Sequence, residues 1–162
     1  MARPRAAQHA QLAPIYSSGR MARDYVEQYY LAGAAELRRR TADASALARA
    51  LRQWEVRLQR HWTDLRIAAP TISRGGADWL FSVTVDLGEI GPEDVAVQLY
   101  AEPRNGGAPF VGELFCTASD ASLVYTGAAP TDRPARDYTV RVVPRHPGAA
   151  VPAELSLILW RN

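Results

Sequence analysis

The side chains best suited to chemistry are few and scattered. His9, His61 and His146 fall respectively in a leading tail, on a helix and in a turn, and none has a second ligand at a metal-binding spacing. No metal site is expected. Cys116 is the single cysteine, which rules out an intramolecular disulfide, makes a thiolate zinc cluster implausible and fits a reducing cytoplasm. Glu89, Glu93 and Asp94 sit together in GEIGPED, a stretch with the composition of a loop entering a strand. A glycosidase pair needs two carboxylates on facing walls of a cleft, which proximity in sequence does not provide. All 19 basic residues are arginine. A Schiff base, a phosphate-loop lysine and a lysine general base each require an amine, for which a guanidinium does not substitute. The motifs G-x-S-x-G, H-E-x-x-H and G-x-x-x-x-G-K do not occur. No catalytic residue, cofactor ligand or metal ligand is therefore assigned, and this chain alone is expected not to be an enzyme.

Aromatic residues offer a different chemistry, because exposed rings on a sheet stack against sugars. The candidates are Trp79, Tyr100, Tyr125, Tyr138 and Trp160. Tyr138 in RDYTVRVVP and Trp160 at the end of LSLILW read better as packing residues. Trp79 and Tyr100 remain as the candidate glucan-stacking pair.

Such side chains need elements to position them. Ser17 and Ser18 can cap a helix on which Met21, Tyr25 and Tyr29 recur at a spacing of four, with Val26 and Tyr30 beside them. This helix is expected to stop near Gly33. A second one, beginning at Glu36, carries Leu47, Leu51, Trp54, Leu58 and Trp62 on one face, and Leu51, Trp54 and Leu58 are expected to join helix to sheet. Arg49, Arg52, Arg57 and Arg60 occupy the opposite face, most simply a solvated one. Beyond Trp62 the period changes to two. In DWLFSVTVDLG, Leu80, Ser82 and Thr84 alternate with Phe81, Val83 and Val85, and EDVAVQLYAEP alternates likewise through Val95, Val97 and Leu99. Further strands are expected over 65–69, 111–117, 122–126, 137–144 and 153–160, separated by RNGG, TDRP and RHPG.

About seven short strands without intervening helices indicate an antiparallel immunoglobulin-like β-sandwich. The fold class is α+β: a flexible tail over 1–16, a segment of two helices over 17–63, and the sandwich over 64–162. A chain of 162 residues with 48% hydrophobic content can bury one core. No apolar run reaches the roughly 20 residues of a membrane span, so a soluble, cytoplasmic protein is expected. A net charge of +2 without a clustered patch does not suggest nucleic acid.

SSGRMARDYVEQYYL, from Ser17 to Leu31, resembles the C-terminal region of bacterial α-glucan phosphorylases, the glycogen and maltodextrin phosphorylase family. A helix near the end of that family carries Ser, Arg, Met or Thr, then an acid and Tyr. Ser17 or Ser18, Arg20, Met21, Asp24, Tyr25, Val26, Tyr29 and Tyr30 match it. ALRQWEVRLQRHW, EDVAVQLY and RDYTVRVVPRHPGAAVPAELSLILW extend the likeness over about residues 15–162. Two departures stand out: Ala22 replaces a β-branched residue, and YYLAGAA lacks a Pro common after the Tyr pair. The resemblance implies phosphorolysis of α-1,4-glucans, with pyridoxal phosphate held by a lysine that would lie upstream of this helix. It therefore implies a non-catalytic tail of a phosphorylase, whether gene remnant, separate subunit or excised piece. Met21, Tyr25 and Tyr29 would dock it on a phosphorylase catalytic body or on a second copy. The alternative is an independent carbohydrate-binding β-sandwich module that contacts α-glucan.

Overall fold

The computed structural model describes residues 31–104, 106–119 and 122–161, together with Arg23 and Val26. Met21, Tyr25 and Tyr29, the expected docking stripe, lie outside the described residues. The chain divides into two compact units, Met1–Ala50 and Leu51–Asn162.

The first described helix, α1, is Leu31–His61. It runs through Gly33 and Glu36 without a break, contrary to the expected stop and restart there. A lone glycine costs a helix about 1 kcal/mol. Alanines on both sides and the absence of proline leave the backbone ladder intact. Before Ala50, Leu37 is exposed and Thr41 Oγ1 donates back to the Leu37 carbonyl at 2.9 Å. Ser45 is the one left-handed residue of this stretch, with φ 62°.

In the second unit the helix acquires a buried face. Trp54, Leu58 and Trp62 follow at steps of four and all enter the core, with Leu58 fully covered. Leu51 is half-buried. Trp54 and Leu58 thus join helix to sheet as expected, whereas Leu51 is not among the residues packed on that core. On the polar side Arg57 is no idle solvated cation, because its Nη2 meets Asp94 Oδ2 at 2.6 Å, and Arg52 Nη1 meets Glu55 Oε2 at 2.8 Å. Asp94 is the one buried charged residue among those described, and an unpaired carboxylate there would be costly.

Among the described residues eight strands follow: β1 (Arg66–Ile67), β2 (Thr71–Gly75), β3 (Asp78–Asp86), β4 (Val95–Ala101), β5 (Phe110–Ser119), β6 (Ser122–Pro130), β7 (Thr139–Pro144) and β8 (Leu159–Trp160). They form one antiparallel path in the order β1-β3-β6-β5-β4-β7-β8, with β2 also on β3. Strand β5 turns the corner. Its first half, Phe110 to Leu114, pairs with β4, and its second half, Phe115 to Ser119, pairs with β6. The path thus folds over a single core, filled from one side by Phe81, Val83, Val85 and Tyr125 and from the other by Val97, Leu99, Val140 and Val142.

Alternation set these faces as expected: Phe81, Val83 and Val85 are buried while Leu80 is exposed. Several strands differ from expectation: β1 keeps only Arg66–Ile67 of the expected 65–69, and β6 runs on past 126 to Pro130. β2 was not foreseen, because four of its five residues are exposed and show no alternation. The strand expected over 153–160 narrows to Leu159–Trp160. Its partner β7 ends at Pro144, which has no N–H to donate, so the ladder stops after Arg141↔Trp160 and Val142↔Leu159. Leu155 is nevertheless buried without strand pairing.

Candidate functional site

The outer face of β4 starts from Gln98 and Tyr100, the two half-buried positions in VAVQLYA. Their inward neighbours Val97, Leu99 and Ala101 anchor the strand in the core. Across the ladders, Gln98 lies opposite Arg141 of β7 on one side and Glu113 of β5 on the other. Arg141 in turn lies opposite Trp160 of β8. One line of side chains therefore crosses four strands in the order Trp160, Arg141, Gln98, Glu113.

Contacts fix this line. Arg141 Nε donates to Gln98 Oε1 at 2.9 Å. Its guanidinium lies 4.7 Å from the Tyr100 ring centroid and 5.3 Å from that of Trp160. The Tyr100 and Trp160 rings meet edge to face at 5.2 Å. Tyr100 Oη donates to Glu102 Oε2 at 3.3 Å, and desolvation, reinforced by that carboxylate, raises the phenol above its ordinary value. Glu113 is held by Arg145 Nη1. Alongside runs an open cleft of about 370 Å³ lined by Gln98, Glu113, Arg141, Arg145, His146 and Ile158, among others.

Trp79 lies elsewhere. On β3 it shares the inward parity of Phe81 and Val83, packs half-buried against the core, donates from Nε1 to the Arg133 carbonyl at 2.9 Å and carries Arg74 over its ring at 5.9 Å. Trp79 and Tyr100 are thus not brought onto one face; the ring that joins Tyr100 is Trp160. Tyr125 and Tyr138 are buried. Tyr138 donates to the Pro130 carbonyl at 2.7 Å and sits edge-on to Phe81 and Phe110.

The remaining chemistry-bearing residues disperse. His61 Nδ1 faces Asp64 Oδ2 at 3.6 Å, and His146 stacks tilted on Trp54 at 5.2 Å while its Nδ1 accepts from Gly148 N at 2.9 Å. His9 lies outside the described residues. Among the described residues no three His, Cys, Asp or Glu side chains converge as metal ligands. Cys116 is exposed beside the buried Tyr125, its ladder partner.

Sequence reasoning missed Gln98, Glu113 and Arg141 as a group. A signal existed: Gln98 is the one amide in a strand otherwise built of apolar residues and tyrosine. Its neighbours belong to strands far along the chain, so only the register reveals them.

Residues 62–162 match the family model described as glycogen phosphorylase C-terminal domain. The chain is 33% identical over 166 residues to the glycogen phosphorylase of Mycobacterium tuberculosis strain H37Rv, covering 91% of this chain and 18% of that protein. It is 34% identical over 170 residues to the glycogen phosphorylase of Mycobacterium bovis, with the same two shares of 91% and 18%. It is 30% identical over 165 residues to the maltodextrin phosphorylase of Thermococcus litoralis, covering 93% of this chain and 19% of that protein. The chain thus spans about a fifth of the length of these relatives. No solved structure matches it significantly. Pyridoxal phosphate, implied for the parent family by resemblance, does not fit the donor set: the chain has no lysine, and neither a guanidinium nor an imidazole can form the Schiff base.

Proposed function

Because the chain belongs to the glycogen phosphorylase C-terminal domain family, we propose that it is a non-catalytic module that docks on and stabilises an α-glucan phosphorylase body. One observation carries this reading: nearly the whole chain aligns, yet with only 18% of a glycogen phosphorylase. Any phosphorolysis by such a protein then draws on residues in the other four-fifths, and the module contributes contact surface. The apolar stripe on Met21, Tyr25 and Tyr29 is the proposed contact, on the body or on a second copy of the chain. A cytoplasmic location is part of the same reading. It is supported by the lone cysteine and by the absence of any helix, among the described residues, long and apolar enough to cross a membrane.

The domain reads as a variant of the immunoglobulin-like sandwich. In support, β3 pairs β6 while β4 pairs β7, and the corner strand β5 serves both halves. The Tyr138 hydroxyl reaching back to Pro130 at the start of β7 is the contact such sandwiches use to pin that corner.

The docking reading is tested by capture. A phosphorylase body lacking its own C-terminal region should retain this chain on a resin, and Tyr25→Asp should abolish retention by placing a charge within the contact. Equal retention of both chains removes the docking role from this stripe.

A further inference from the structure

We infer that the line Trp160, Arg141, Gln98 and Glu113 on the outer face of β8, β7, β4 and β5 is a binding site for a neutral oligosaccharide. The choice of an α-glucan as that oligosaccharide rests on the phosphorylase reading above.

Length is the first argument. Three strand spacings of about 4.8 Å make a line of about 14 Å, longer than one sugar ring and suited to a short chain. The adjoining cleft of about 370 Å³ falls within the size range of small-ligand sites. Order is the second. Arg141 is already clamped between Gln98 and two aromatic rings, and Glu113 is already held by Arg145, so a ligand would meet polar groups fixed in advance.

Charge selects the ligand class. Arg141 and Arg145 are balanced here by Glu113 and by Glu102, which accepts from Tyr100. An anion would approach the Glu113 carboxylate, and a cation would approach two guanidiniums. A polyol avoids both conflicts, because each hydroxyl can donate to Glu113 or Gln98 and accept from an arginine. Trp160, 39% exposed, supplies ring surface for the C–H side of a pyranose.

The test titrates the full chain with maltoheptaose, following indole N–H resonances by NMR and affinity by calorimetry. The Trp160 resonance, assigned by its loss in Trp160→Phe, should shift saturably. Trp160→Ala and Gln98→Ala should each weaken binding about tenfold, while Trp160→Phe, which keeps a ring, should retain most of it. Inorganic phosphate should not compete. Perturbation confined to other tryptophans, full affinity in Trp160→Ala and Gln98→Ala, or displacement by phosphate would each overturn the inference. Capture by a tail-less phosphorylase body, run in parallel, separates the two readings. A chain captured by the body yet blind to maltoheptaose overturns this site and leaves the phosphorylase reading standing. One that binds maltoheptaose through Trp160 without capture supports the site and removes the docking role.

Discussion

Tyr125 shows how one buried hydroxyl ties stability to pH. Its side chain is 4% exposed, and its hydroxyl has no conventional hydrogen-bond partner among the described residues. Burial, then the neighbouring Cys116 thiol, pushes the phenol from 10.0 up to about 12. The folded value is raised, so the protonated form is the one the fold favours. Its contribution is fully present below the ordinary value of 10.0 and is lost as pH rises through about 12. Urea midpoints should therefore fall steeply between those limits, and Tyr125→Phe should flatten the fall. Tyr100 and Tyr138 are also raised, so the slope should shrink rather than vanish. Identical slopes for the two chains would show that Tyr125 is not the titrating group.

Among the elements, the second half of α1 and the alternating strands β3 and β4 were the readable parts, because burial there follows a simple period. Steps of three and four mark Trp54, Leu58 and Trp62, and steps of two mark Phe81, Val83 and Val85, all of them core residues. What the period could not carry was partnership. That β5 divides its pairing between β4 and β6 depends on contacts remote in sequence, and so does the Trp160-to-Glu113 line. Arg57 looked like solvent-facing charge until Asp94, 37 residues later, came to meet it. The contrast within α1 is measurable. Leu58, fully covered, should lose about 3 kcal/mol on replacement by Ala. Leu37, 63% exposed on the same helix, should change by less than about 0.5 kcal/mol under the same substitution. Chemical denaturation resolves the two, and comparable losses would mean that helical propensity rather than packing holds α1.

For the molecule as a whole, the matched family region and the cooperative unit need not begin at the same residue. The family match starts at residue 62, whereas the compact unit starts at Leu51. The difference is eleven residues of α1, and they bring Trp54 and Leu58 into the same core that Val83, Leu99 and Val142 fill. Losing a large buried side chain costs about 2–5 kcal/mol. Two such losses, together with the Arg57 partner of buried Asp94, approach the whole stability of a typical domain, about 5–15 kcal/mol. A chain spanning 51–162 should therefore unfold cooperatively with a midpoint close to that of the full chain, because every residue of the described core lies within it. A chain spanning 62–162 should be largely unfolded, or should bind hydrophobic dyes through the surface that α1 leaves bare. Circular dichroism melts of the two fragments decide the matter. A cooperative, native-like transition in the shorter one would mean that the sheet alone specifies the fold and that α1 is an accessory to it.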